Sequence, residues 1–273
     1  MSDAILESYS QQAVAYDLDA NQDSCWGRLG REAYESLSIE PGRRCVVDVG
    51  CGTGRALEHL ACRLPPQTKL LGIDPAPGMC ELARERTAGF PNVRIMDGRF
   101  EAIPAANKSI DHLFSIHAFH WVGSVDRALT ELRRVLTADA DLDVFFAGRG
   151  TGPEFVAATS PILRRYLGFA DWLMSAKLRV QLGPDEALEV FRRGLPEHEV
   201  HAHEQVETHY DTLDGHWSWW LRIEGHFTRI ERSKRAKCFA EVRKALAKLE
   251  TGAGIPYTTR ILHVSTRPPA SSR

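Results

Sequence analysis

Three glycines at alternate positions, Gly50, Gly52 and Gly54, close the apolar run Val46-Val47-Asp48-Val49. Chemistry is first legible there. Residues without a Cβ let a chain turn sharply off a strand and bring its main chain against a ligand. A dinucleotide fingerprint, GxGxxG, would need its third glycine at position 55, where Arg55 stands. The spacing is instead GxGxG, after a strand that carries an acid, and a second apolar run, Lys69 to Asp74, ends in another acid. Further on, His112 to Trp121 (HLFSIHAFHW) holds His117 and His120. Histidine is the natural base near neutral pH.

The segment D-x-G-C-G-T-G resembles the first motif of class I S-adenosylmethionine (SAM)-dependent methyltransferases, and the resemblance covers about residues 40 to 148. It implies that Gly50, Cys51, Gly52 and Gly54 cradle the amino-acid end of SAM, with Asp48 organising the loop. A Cβ at Gly52 is expected to clash at the loop and block binding. Asp74, followed by Pro75, would accept both ribose hydroxyls, since a carboxylate offers two acceptor oxygens to two adjacent donors; the bland reading is a helix N-cap. Asp97 to Pro104 resembles the adenine-binding segment, with Arg99 where many members carry an acid and Phe100 beside the ring. Ser115 and His117 would flank the methionine portion, with His120 and Trp121 facing the acceptor. Tyr9 and Tyr16 lie in a stretch like the lead-in helix of small-molecule members, where Tyr16 is either a lid contact or a packing residue. The cofactor implied is SAM, with S-adenosylhomocysteine as its product.

The elements that position these residues follow from hydrophobic period. Short apolar runs at Val46–Val49, Lys69–Asp74, Val93–Met96, His112–His117 and Leu142–Ala147 alternate with helical patterns at 55–64, 78–86 and 125–136, the signature of parallel βα units. After Gly148 the next fifty residues read as helix. Val200 to Tyr210 and Thr259 to Thr266 then alternate as strands around an aromatic segment, His216 to Leu221, and a long helix, Ser233 to Leu249. With the resemblance, this predicts an α/β fold: a doubly wound, mostly parallel seven-stranded sheet with a helical cap inserted after strand five. The expected divisions are an N-terminal lead-in or lid (1–40), a SAM-binding core (41–150), a mostly helical cap (151–230), a closing helix and last strand (231–267), and a disordered tail (268–273).

A chain of 273 residues that is 43% apolar can bury a full core. Its formal net charge of −2 supplies no field toward nucleic acid or an anionic membrane. Met1-Ser2-Asp3-Ala4 has no signal-peptide pattern, and no apolar run approaches a membrane span, so the expected location is cytoplasmic. The six cysteines make no CxxC pair and are read as buried free thiols. His201-Ala202-His203 would share one strand face, but no partner stands at ligand spacing, so no metal site is expected. His198, His209, His216 and His226 are read as solvated or hydrogen-bonded.

In-line methyl transfer asks the protein for alignment, desolvation and, for a hydroxyl acceptor, a base; a carboxylate or thiolate needs only positioning. His117 and His120 are the catalytic candidates, with hydrogen-bonding and packing roles as alternatives. Within His216 to Leu221 a helix would put Trp217, Trp220 and Leu221 on one face and turn Trp219 away, either lining an apolar pocket or filling core. The expected function is methyl transfer to an aromatic or acyl small molecule, of specialised metabolism, by a monomer or homodimer. Two alternatives are a SAM-binding protein that does not methylate and an RNA or protein methyltransferase. The basic segment Arg229 to Lys248 is read as a solvated face or, more weakly, a dock for an acidic carrier protein.

Overall fold

The structure is a computed structural model and describes residues 3–18, 22–176, 179–223 and 230–267. Among the described residues three helices lead in: α1 (Asp3–Gln11), α2 (Ala13–Asp17) and α3 (Cys25–Ser36). The core follows as β1 (Cys45–Val49), α4 (Arg55–Arg63), β2 (Lys69–Asp74), α5 (Pro77–Thr87), β3 (Val93–Asp97), β4 (Ile110–Ile116), a 3-10 turn (Phe119–Trp121), α6 (Val125–Val135) and β5 (Leu136–Ala147). Then come α7 (Pro153–Leu167), α8 (Phe169–Ala176), α9 (Pro184–Gly194), β6 (Glu199–Asp211), α10 (Leu213–Ile223), α11 (Arg232–Ala247) and β7 (Ile255–Arg267).

The seven strands form one sheet in the order β3-β2-β1-β4-β5-β7-β6. Strands β1 to β5 pair in parallel, and β7 enters antiparallel between β5 and β6. Burial along β1 and β4 is nearly continuous rather than alternating, taking in even Asp48, His112 and Ser115, because central parallel strands are covered on both faces. One face packs Val47, Leu113, Val144 and Leu262 against α6 and α9; the other packs Val46, Leu70 and Phe114 against α4 and α5. Local signals set the helix starts. Ser124 Oγ accepts from the Arg127 amide at the head of α6, and Ser24 Oγ accepts from Gly27 at the head of α3.

The sheet also buries charge. Asp143 on β5 accepts from His263 on β7 at 2.8 Å and lies 3.3 Å from His112 on β4, while Arg43 donates to Asp141 at 2.7 Å. Paired this way, the buried acids are not stranded in the sheet.

The 151–230 stretch, expected as a mostly helical cap, is divided by β6, the edge strand of the main sheet. Helix α9 lies on the sheet against β6 and α6, so the cap proper is α7, α8, α10 and α11. Its own core holds Phe155, Leu163, Trp219, Trp220, Cys238 and Val242. Trp219 does not turn away: it is fully buried, stacked on Phe155 and edge-on to Tyr257, whereas Trp217 is the half-buried member. The helix crosses between two layers, so apolar side chains on both flanks find cover. His226, Arg229 and the tail from Pro268 lie outside the described residues.

Candidate functional site

The glycine loop sits where β1 ends, at the carboxyl edge of the sheet, where α/β folds bind ligands. It is pinned from below, with the amides of Gly50 and Cys51 both donating to the Ile73 carbonyl of β2 at 2.7 and 3.1 Å. Gly50 has φ +83°, and a Cβ there would overlap the Ala118 methyl at the exit of β4, so a side chain at 50 would force the two loops apart. Gly52 has φ +52°, and a Cβ there would meet no protein atom within 4 Å. That corrects the expected clash at the loop: the space beside Gly52 is open among the described residues. Gly54 opens α4, its Cα side against Ala83 of α5.

Beside the loop lies a cleft of about 790 Å³, part of it open to solvent. Tyr16, Gly50, Gly52, Asp74, Pro75, Arg99, Phe100 and His117 line it, so eight of the sequence-derived candidates converge here. Cys51, Gly54, Asp48, Ser115 and His120 do not. Ser115 is buried and donates to the Val49 carbonyl at 2.6 Å, holding β4 to β1. Cys51 faces the α4 side of the sheet, and burial raises its thiol well above the ordinary range. Asp48 is buried behind the loop with Oδ1 unpartnered among the described residues; burial, then the Asp74 charge, raises its pKa well above a carboxylate's usual value. His120 is buried against Trp121, outside the lining.

Asp74 ties two segments together at the cleft, and the N-cap residue of α5 is Ala76 rather than Asp74. Oδ2 accepts from the Gly52 amide at 3.0 Å and Oδ1 from the Ala76 amide at 2.9 Å, tying the glycine loop to the head of α5, while the carboxylate still lines the cleft. Burial pushes its pKa up to about 6, against the pull of those two amides. His117 occupies the left-handed region (φ +57°), and burial pushes its pKa down to about 4. Neither ring nitrogen has a hydrogen bond among the described residues, and the ring stands edge-on to Trp26 at 5.2 Å.

The roof comes from the lead-in helices. Tyr9 and Tyr16 meet edge to face at 6.1 Å, Tyr9 meets Trp121 at 6.1 Å, and Leu6 completes the lining. Burial, with Asp74 and Asp17 nearby, raises the Tyr16 phenol. The roof is latched at two points: Ser10 Oγ accepts from the Gly78 amide at 2.8 Å, and Asp17 grips the glycine loop. Asp17 Oδ1 accepts from Thr53 Oγ1 (2.8 Å) and Arg55 Nε (2.9 Å), and Oδ2 accepts from Arg86, which also donates to the Thr53 carbonyl. Sequence reasoning passed over Asp17, Glu101 and Trp26. Asp17 sits beside the candidate tyrosine, but its partners lie on α4 and α5. Glu101 accepts from the amides of Gly123 and Ser124 at the cleft edge. Trp26, from α3, stands edge-on both to His117 and to Trp219 of the cap.

The exposed His201 and His203 gather no ligand set: among the described residues no group of three or more His, Cys, Asp or Glu could hold a metal ion. No described helix is long and apolar enough to cross a membrane. All six cysteines are free; five are buried or half-buried, and Cys62 is exposed.

Residues 46–139 match the methyltransferase domain family. A ubiquinone/menaquinone biosynthesis C-methyltransferase of Campylobacter jejuni is 30% identical over 164 residues, 56% of this chain and 68% of that protein. A malonyl-[acyl-carrier protein] O-methyltransferase of Methylococcus capsulatus is 33% identical over 152 residues, and the chain spans only about half (52%) of that relative's length. Two solved structures share the fold at low identity: the YcgJ protein of Bacillus subtilis (TM-score 0.61, 15% identity, 88% of this chain and 98% of that one) and Haemonchus contortus phosphoethanolamine N-methyltransferase 2 with SAM bound (TM-score 0.58, 13% identity, 95% and 57%). The chain belongs to the SAM-dependent methyltransferases of class I. The cleft fits the family's cofactor: the glycine loop leaves open space at Gly52, Asp74 presents a buried carboxylate, and Arg99 and Phe100 close the far end.

Proposed function

We propose that this chain transfers a methyl group from SAM to a small-molecule acceptor with an aromatic or acyl body. When bound, SAM supplies an electrophilic methyl carbon on a positively charged sulfur. The chain's own part is positional. The Gly50–Gly54 loop and Asp74 hold the two polar ends of the nucleoside and amino-acid portions, and Tyr9, Tyr16 and Trp121 exclude water from above. The observation that carries this reading is the open space beside Gly52 within a cleft walled by Asp74 and roofed by a latched lid. Small acceptors are favoured because the cap over the carboxyl edge is an aromatic core rather than an open basic groove.

The relatives' names span different accepting atoms: oxygen on a malonyl-carrier substrate, carbon in quinone biosynthesis, nitrogen on phosphoethanolamine. An acyl acceptor delivered on an acidic carrier protein is one form of the proposal. Helix α11 carries Arg232, Lys237 and Lys244 in its exposed or half-exposed face, while Lys234 pairs with Glu231 and Arg243 with Asp214. Calorimetry with SAM, followed by incubation with methyl-labelled SAM and a metabolite extract, tests the reading. Binding and label in a low-mass product are expected. Binding without turnover would leave a non-methylating SAM protein, and label in RNA or protein would move the acceptor to a macromolecule.

A further inference from the structure

Strand β6 ends the sheet, and among the described residues no strand pairs with its outer edge. It is long and regular: all 13 residues of Glu199–Asp211 pair with β7 without a register shift. An edge of that kind exposes a row of main-chain donors and acceptors that templates another strand. Natural sheets blunt such edges with proline, lysine, a bulge or a very short strand. β6 uses none of these, and its sequence, EVHAHEQVETHYD, holds no proline, glycine or lysine. Helix α9 covers one face of its first half, where Val200 and Ala202 join the core. His201, His203, Gln205, Val206, Glu207 and Tyr210 are exposed.

The charges along this strand suit a second copy of itself. Glu199 lies 3.5 Å from His201 Nε2, and Glu207 lies 3.7 Å from His209 Nδ1, so each end carries an acid and an imidazole on the same face. Two β6 strands laid antiparallel about a two-fold axis at residue 204 set His201 opposite Glu207, Glu199 opposite His209 and His203 opposite Gln205. Symmetry makes each pair twice. On the other face the exposed Val206 gains Ala202 as a neighbour. The like pair on the axis, Glu204 with itself, is offset within each chain by Arg260, which donates to Glu204 at 2.9 Å. Moving the axis by one residue would set Glu199 against Glu207 or against Asp211, and like charges directly opposite are destabilising. The overlap from Glu199 to His209 forms on the order of ten main-chain hydrogen bonds, about what a stable interface carries.

We infer that the β6 edge is a docking surface for a second copy of this chain. Two copies join edge to edge through antiparallel β6 strands, with His201 and Glu207 paired across the axis, and one sheet runs through both. The glycine loop follows β1, which β4, β5 and β7 separate from β6 in the sheet order. Assembly and SAM binding are therefore separable, and the interface leaves the cleft open.

Sedimentation of the full chain over a range of concentrations tests this, with amide exchange as a second readout. A dimer is expected, and the amides of residues 199–211 should gain protection as protein concentration rises. His201→Glu places acid against acid at both symmetric positions and should weaken the dimer at least about tenfold. The double variant His201→Glu with Glu207→Lys reverses the pair and should recover most of that loss. Both positions are exposed, so each variant should keep its circular dichroism and its SAM affinity. A chain that stays monomeric at ~100 µM would overturn the assignment and leave the edge to a strand of a different protein. So would a dimer whose 199–211 amides exchange at the same rate at every concentration, or a dimer that His201→Glu does not weaken. The sedimentation and exchange of the wild type decide even where a variant fails to fold.

Discussion

Asp74 offers the sharpest test, because one carboxylate lines the cleft, holds the loop and carries the pH response together. Its pKa is pushed up from 3.8 to about 6 by burial. The ionised form is the one that accepts two hydroxyl hydrogens, so SAM affinity should be nearly flat above pH 7. It should weaken about tenfold by pH 5, one unit below the pKa. Asp74→Asn keeps the shape, loses the charge and one acceptor, and should cost about 1–3 kcal/mol in SAM binding at pH 7. The apo protein should show the opposite sign. Here an acid has its folded pKa above its unfolded one, so the folded state holds the extra proton between about pH 4 and 6. Stability from this group therefore rises as pH falls through that window and is lost as pH rises. A shift of about two pKa units corresponds to about 3 kcal/mol. The assay is paired: calorimetric titration of SAM from pH 5 to 8 and thermal unfolding from pH 4 to 7, wild type against Asp74→Asn. The difference between the two proteins reports Asp74 together with its charge coupling to Asp48. A wild-type affinity that is flat across that range, or an Asn variant with the same slope, would refute the reasoning.

Gly52→Val should fold and lose SAM binding, since its side chain enters open ligand space, whereas Gly50→Ala should lower the melting temperature, with a cost of about 1–3 kcal/mol from overlap with Ala118; unfolding scans and SAM titrations on both separate the two effects. Asp17→Asn should loosen the latch by about 1–2 kcal/mol, a discounted figure because the partners are partly exposed. The expected signs are faster amide exchange in residues 3–17 and SAM release several-fold faster, and unchanged exchange would leave Asp17 a passive surface acid. His117→Ala and His120→Ala should cost stability, and turnover on a hydroxyl acceptor should fall by ~10²–10⁴ in the variant that has lost the base, against less than about tenfold on an acceptor that is already ionised. A pH–rate limb near pH 4 that vanishes in His117→Ala would assign the base to His117.

The alternation of short apolar runs with helical periods is a local property, so the parallel core from Cys45 to Ala147 was legible from residues alone. The GxGxG spacing and the acids closing Val46–Val49 and Lys69–Asp74 likewise located the cofactor loop, because a main chain that must approach a ligand constrains its own residues. Edge strand β6 was visible as an alternating run and counted among the seven strands, but its antiparallel register on β7 was not legible, since pairing between distant segments leaves no mark on period. Roles at the site depended on directions that only packing sets. Ser115 and Cys51 stand in the motif yet turn into the core, and His117 turns its nitrogens against Trp26. Asp17 acquires its place as a latch from Arg55 and Arg86, residues far from it in the chain. Residue type and spacing decided which cofactor the chain can hold; tertiary contacts decided which side chains face it, because direction and burial are set by partners that the local sequence does not contain.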